Sequence, residues 1–286
     1  MIPPALSIGY QGVPGAYSEE ALQAFAPHAR RLPHRTLPDL FAALQDRAID
    51  RAFVPIENSH AGSVVDAYDL LLDHAVTIEA EWIHPVHHCL LGLPGAALDD
   101  VERVFSHPQA LAQTQTYVRS AGFRSEAYYD TAGAAQMVAE EQDRRYAAVA
   151  GRLAAEKYGL AVLADGIQTS ADNATRFFLL APEDGQPAEM PGEGEGRTTL
   201  VFSVAHRPGA LVRALTCFAR RGVNLNRLES RPSRRSPWEY MFFTDIEGYA
   251  SQPQVAAALR ELDRLYPPVR ILGSYPAAHL PEGVTT

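Results

Sequence analysis

The chain has 286 residues, 47% of them apolar and 21% charged, which suits one large α/β domain plus a smaller one and excludes a disordered chain. Its formal net charge of -9 at pH 7 excludes a non-specific nucleic-acid binder but allows a small acidic substrate, because a pocket needs only a local arginine or two. No apolar run approaches the roughly 20 residues that cross a bilayer, and the first residues lack a basic segment followed by a long apolar one, so no membrane is expected and the expected address is the cytoplasm. The two cysteines, Cys89 and Cys217, lie far apart with no CxxC pattern and read as apolar filler in a reducing compartment.

In chain order, 6–10 reads as a strand and 15–25 as a helix with Ala, Leu and Phe on one side. A second helix is expected over 38–47, entered through a proline in its first turn. A strand follows at 51–56 and a helix at 63–72. The stretch 76–91 is β-rich and long enough for two strands or one bent one. After Pro94 the rhythm repeats, with a strand near Val104, a helix from Pro108, a strand near Tyr128, a helix from Thr131 and a strand near Val149. Such alternation implies mainly parallel sheets with covered faces. Two similar sets joined by a β-rich stretch imply two lobes and a cleft between them, where ligands usually sit.

The composition changes at 182–197, PEDGQPAEMPGEGEGR, which is rich in Gly, Pro and Glu, nearly free of apolar residues and reads as a linker. Beyond it come a strand at 199–205, a helix at 209–221, strands at 224–232 and 238–246 joined by SRRS, a helix at 254–265 and a strand at 269–275. That order, βαββαβ, is the ferredoxin-like arrangement. The fold class is therefore α/β, with a two-lobed domain at 5–181, the linker at 182–197 and a ferredoxin-like domain at 198–276.

Polar clusters fall where elements end. GYQGVPGAYSEE, 9–20, has Gly12 and Gly15 for tight turns and a helix start that can approach a ligand. It is not GxGxxG, and no acidic residue follows at the ribose distance, so no dinucleotide is expected. In PIENSHAG, 55–62, Glu57, Asn58 and Ser59 sit on a strand-to-helix turn, where backbone N–H groups and the Ser59 hydroxyl can hold a carboxylate. Helix capping by Asn58 or Ser59 is the plainer account. FSHPQALAQT, 105–114, offers His107 as a general acid or base, with a helix cap by Ser106 or His107 as the alternative. His84, His87 and His88 form HPVHH, but on a strand His87 faces away from the other two, and no carboxylate or cysteine clusters with them. No metal site is expected. SADNATRFFLL, 170–180, packs Asp172, Asn173, Thr175 and Arg176 ahead of an apolar strand. Arg176 carries the planar fork that suits a carboxylate, yet strand alternation aims 175 and 176 at opposite faces unless the backbone bends there.

Together these segments resemble the prephenate dehydratase family over nearly the whole chain. The matching pieces are YQGVPGAYS, PIENSHAGSV, SHPQAL, DTAGAA at 130–135 and NATRF at 173–177. Beyond the linker, RPGAL at 207–211, GVNL at 222–225 and ESRP at 229–232 resemble an ACT domain. The resemblance implies a two-lobed, periplasmic-binding-protein-like domain that decarboxylates and dehydrates prephenate to phenylpyruvate without a cofactor. It implies Thr175 and Arg176 as catalytic residues, and Glu57, Asn58, Ser59, Ser106, Gln109, Asn173 and Phe177 as substrate-binding ones. It also implies inhibition by L-phenylalanine at Pro208, Gly209, Ala210, Leu211, Asn224, Leu225, Glu229 and Ser230, in a homo-oligomer that is a dimer or tetramer. Relatives usually carry an acidic residue just after the Ile-Gln pair, where this chain has Thr169, with Asp172 three residues on. The alternatives are an arogenate dehydratase and a non-catalytic small-acid sensor.

Overall fold

The computed structural model describes residues 6–170, 172–183, 195–232 and 240–279. It opens with β1 (Ser7–Gln11), α1 (Tyr17–Phe25), β2 (Arg30–His34), α2 (Leu37–Gln45), β3 (Arg51–Asn58), β4 (Gly62–Ser63) and α3 (Val65–Asp73). Next come β5 (Val76–Pro85), β6 (Cys89–Gly92), β7 (Arg103–Ser106), α4 (Pro108–Gln113), α5 (Gln115–Ser120) and β8 (Arg124–Ala127). The series continues with α6 (Thr131–Glu141), β9 (Tyr146–Ala150), α7 (Arg152–Tyr158), β10 (Ala161–Ala164) and β11 (Ala174–Pro182). It ends with β12 (Gly196–Ser203), α8 (Ala210–Ala219), β13 (Leu225–Pro232), β14 (Tyr240–Glu247), α9 (Pro253–Leu265) and β15 (Arg270–Pro276).

Local chemistry sets several of these ends. Thr36 caps α2 by accepting the Asp39 N–H, and Asp130 caps α6 by accepting that of Gly133, which satisfies donors that the first helical turn leaves over. The helix expected from Pro108 is broken into α4 and α5 at Thr114. The Thr114 hydroxyl donates to the Ala110 carbonyl at 2.8 Å, a back-bond that bends helices.

The described residues divide into two compact units, one within 6–75 and 82–182 with His279, the other within 76–81 and 183–278. The larger unit has two lobes. In the first, the strands run β11-β3-β1-β2 with β4 on the edge of β3; in the second they run β10-β6-β9-β7-β8. The parallel pairing that the sequence implies holds at the centre of each sheet, for β1 with β2 and β3 and for β7 with β8 and β9. It fails for β11 on β3 and for β6 on β9, which are antiparallel. β11 brings the chain back from the second lobe, so it joins the first sheet without the crossover helix that a parallel neighbour needs. A stack of Phe25, Phe53 and Phe177, with ring centroids 5.6 and 4.7 Å apart, anchors this return strand in the first lobe.

The smaller unit orders its strands β13-β14-β12-β15, the sequence expected of βαββαβ, with α8 and α9 covering a core of Leu200, Phe202, Phe218, Ile246 and Leu262. The Tyr266 phenol donates to the Ala210 carbonyl at 3.0 Å and ties α9 to the start of α8. Residues 76–81, which the sequence places in the two-lobed domain, group here instead: Ile78 pairs with Gly273 of β15, and the Glu81 carboxylate meets Arg197 Nη1 at 2.8 Å. The linker reading is likewise corrected at its end, since Gly196 and Arg197 belong to β12. Its middle, 184–194, and the turn 233–236 lie outside the described residues. The Glu81 side chain is fully buried, so Arg197→Met leaves a buried carboxylate without its cation. We expect the smaller unit to lose about 3 kcal/mol of stability, as is typical of a broken buried pair, and urea denaturation measures it.

Candidate active site

The site grows from the turn after β3. Asn58 Oδ1 accepts the backbone N–H groups of His60 and Ala61 at 3.1 and 3.0 Å, closing an Asx turn. Its Nδ2 is thereby the donor, shared among Asn173 Oδ1 at 2.8 Å, the Ala174 carbonyl at 3.1 Å and Thr175 Oγ1 at 3.1 Å. β11 faces β3 here, with Thr175 opposite Asn58. Asn173 in turn donates to Gln113 Oε1 at 3.2 Å, and Gln113 Nε2 donates back to Asn58 Oδ1 at 3.3 Å.

A cavity of about 530 Å³ opens over this group, lined among others by Asn58, Thr175, Phe177, Gln109, Gln113 and His88, a size usual for small-molecule sites. Among the described residues that line it, Arg35 and Asp66 bring formal charge, and His107 adds a third titratable group beside His88 and Tyr17. A neighbouring cavity of about 400 Å³ shares Gln109 and Gln113 and reaches Asn173 and Thr169. Burial holds the His88 imidazole below the usual histidine range, and burial pushes the Tyr17 phenol well up. Both therefore stay uncharged near neutral pH. Burial also raises the Asp130 carboxyl, against the N–H groups that it caps.

The structure brings together Asn58, Asn173, Thr175, Phe177 and Gln109 of the residues singled out from sequence. His107 joins them and also caps α4, accepting the Gln109 N–H on Nδ1 at 3.3 Å. Four others are placed elsewhere. Arg176 is on the opposite face from Thr175, with its guanidinium 4.9 Å over the Phe178 ring and opposite Glu57 across the ladder. The register shift in β11 falls after Arg176, too late to turn it toward the cavity. Glu57 shares that face, away from Thr175. Ser59 is spent on backbone, donating to the Asp172 carbonyl at 3.1 Å and accepting the Ala174 N–H at 3.0 Å. Ser106 is fully buried and donates to the Val149 carbonyl at 2.6 Å.

The glycine turn of 9–20 also serves packing. The Gly15 N–H donates to Glu19 Oε2 at 2.7 Å, and a Cβ on Gly15 would stand 2.9 Å from Ala154 Cα. Thr169 lies on the wall of the smaller cavity, and Asp172 instead meets His60 Nε2 at 3.0 Å. His84 faces Glu20 at 3.7 Å, whereas His88 joins Tyr17 and Gln113, so the histidines of HPVHH serve separate contacts.

Sequence reasoning missed Gln113, Tyr17, His88 and Arg35 as cleft groups. Gln113 had a signal, since it lies one turn after Gln109 on a helix and shares its face. In the smaller unit, Gly209 precedes α8 in the left-handed region with φ 78°, and Pro208 is exposed. Ala210 is buried, and Leu211 and Leu225 pack on the core. Asn224 donates to Glu247 at 2.8 Å, Glu229 lies 3.4 Å from Arg227 Nη2, and Ser230 is exposed.

The prephenate dehydratase family model matches residues 8–185, and the ACT domain model matches 198–264. Arogenate dehydratase/prephenate dehydratase 2, chloroplastic, from Arabidopsis thaliana is 42% identical over 279 residues, covering 94% of this chain and 72% of the relative. Arogenate dehydratase 2 from Petunia hybrida is 40% identical over 95% of this chain and 72% of its own length. The solved prephenate dehydratase of Arthrobacter aurescens in complex with L-Phe is 31% identical, with a TM-score of 0.87 over 98% of this chain and 94% of its own. The structure of GqqA, described as a novel type of quorum quenching acylase, is 40% identical, with a TM-score of 0.87 over 95% of this chain and 98% of its own. The two family models match in this order along the chain, and the chain belongs to the prephenate dehydratase family, a family of lyases, with an ACT domain at its C-terminal side.

Proposed function

We propose that the cleft converts prephenate to phenylpyruvate, with Thr175 as the group that meets the departing hydroxyl. The ring carbon–carboxylate bond breaks and its electron pair enters the ring. Carbon dioxide departs, the carbon–oxygen electron pair leaves with the hydroxyl, and that oxygen takes the Thr175 proton and leaves as water, the threonine oxygen regaining a proton from solvent. Aromatisation drives the step, so the protein needs only to place the substrate and support the leaving group. The observation that carries this reading is the bond from Asn58 Nδ2 to Thr175 Oγ1. Because the oxygen accepts there, the hydroxyl keeps its own proton for donation toward the cavity. No metal or cofactor enters this reading.

Arg35 supplies the cation that a dianionic substrate requires, in place of Arg176. We expect Arg35→Leu to raise KM roughly tenfold or more while changing kcat little, the scale of one charged hydrogen bond, as steady-state kinetics on prephenate would read. Phenylpyruvate formation from prephenate, followed by absorbance with and without millimolar phenylalanine, tests the main reading. Absence of turnover from folded protein sinks it.

A second substrate is favoured by one observation: the Asp66 carboxylate also lines the cavity and suits the ammonium group of arogenate. Kinetics with both substrates decide the preference. For regulation, we place L-phenylalanine at the start of α8, around Pro208 to Leu211, with Asn224, Leu225, Glu229 and Ser230 nearby in sequence. The apolar Leu228, Tyr240 and Ile271 stand exposed on the strands of the smaller unit and support pairing with a second copy, as a dimer or a tetramer. Sedimentation of a monomer with and without phenylalanine would refute the pairing. Cys89 and Cys217 are free and buried, in keeping with a reducing compartment such as the cytoplasm, and no described helix is long and apolar enough to cross a membrane.

A further inference from the structure

The side-chain amides on the cleft floor have orientations that follow one from another. Two backbone N–H groups fix Asn58 Oδ1 as an acceptor, so Asn58 Nδ2 donates to Asn173 Oδ1 at 2.8 Å. Asn173 Nδ2 then donates to Gln113 Oε1 at 3.2 Å, and Gln113 Nε2 donates to Asn58 Oδ1 at 3.3 Å, closing a ring of amides. Gln113 has a further partner outside the ring. Gln113 Oε1 also meets His88 Nε2 at 2.7 Å. An amide oxygen only accepts, so Nε2 carries the proton, and a neutral imidazole leaves Nδ1 bare. Nδ1 lies 2.6 Å from the phenolic oxygen of Tyr17, whose ring meets the imidazole edge-on with centroids 5.5 Å apart.

We propose that Tyr17 and His88 are positioning residues that set the direction of the Gln113 amide, which lines the cavity beside the fixed Asn58 amide. The proposal rests on the dehydratase reading of the cleft. Its physical basis is the cost of the other tautomer. A bare Nε2 facing Gln113 Oε1 at 2.7 Å sets two acceptors against each other, and the amide must turn over. Its oxygen would then face Asn58 Oδ1, which the backbone N–H groups prevent from turning in response. The Gln113 N–H group that lines the cavity would be lost to an anionic substrate.

The tautomer is read directly by nitrogen-15 NMR of the imidazoles, with His88 assigned by substitution. We expect His88 as the Nε2–H form in the intact chain and as a mixture in Tyr17→Phe. In kinetics, Tyr17→Phe should lower kcat about fivefold to tenfold, the scale of one neutral hydrogen bond. His88→Gln places an N–H near the ε position and should hold kcat within about threefold, whereas His88→Asn, which reaches only the δ position, should lose about tenfold. A structural role alone would make the two His88 variants lose alike, and that result would overturn the proposal. An Nδ1–H form in the intact chain would also overturn it. If neither prephenate nor arogenate turns over, the dehydratase reading falls, while the NMR spectrum still decides the amide order.

Discussion

Thr175→Val is expected to cut kcat by about 10²-fold or more, the usual scale for a positioned proton donor, with KM nearly unchanged. The loss falls on kcat because the hydroxyl gains its role as the carbon–oxygen bond breaks and negative charge grows on the departing oxygen. An unperturbed alcohol is a poor acid, so the environment must help. Asn58 Nδ2 donates to Thr175 Oγ1 at 3.1 Å and offsets charge on that oxygen as its proton moves away. Valine keeps the branched shape, and the Asn58 amide keeps Asn173 and the Ala174 carbonyl as acceptors, so the fold should survive. Thr175→Ser should retain activity within about tenfold, since the same donor is present on a less restrained rotor. Steady-state kinetics with prephenate reads all three chains. A near-normal kcat for the valine variant removes Thr175 from the proton-donating role.

Much of the fold was legible because amphipathic periods and caps recur on a regular rhythm, and the βαββαβ order of the smaller unit follows from them. The short strands β2 and β10 were not, because RRLPH and AVLA carry too few residues to show an alternation. For the site, chain position was legible and facing was not. Arg176 sits beside Thr175 in sequence, but strand alternation turns it toward Glu57 and Phe178, and a bulge one residue later does not reverse that. Ser59 and Ser106 have the chemistry of ligands, yet each is satisfied by a carbonyl brought from a distant strand or turn. A hydroxyl beside a buried carbonyl pairs with it, and only the tertiary structure says which carbonyl is near. His88 shows the same limit in the other direction. Its partner Tyr17 lies 71 residues away, so its role in an amide network leaves no local trace.

Asn58→Asp is the more severe test of how that network works, because it changes one donor into an acceptor at almost constant shape. The retained oxygen still takes the N–H groups of His60 and Ala61, so the turn should form. The new oxygen meets Asn173 Oδ1, the Ala174 carbonyl and Thr175 Oγ1, all of which are acceptors toward Asn58 in the wild-type chain. Thr175 can relieve the conflict by donating its proton to the new carboxylate, which takes that proton from the substrate. The carboxylate also sets a negative charge beside a dianionic substrate. We expect kcat/KM to fall by about 10³-fold, combining a lost proton donor with a repelled substrate. The decisive result is the double variant. If Asn58 acts through Thr175, then Asn58→Asp should add at most about tenfold to the kcat loss of Thr175→Val, since residues that work as a unit are not additive. Losses that multiply in full would mean that Asn58 serves the substrate independently, and the orientation of Thr175 would need another cause.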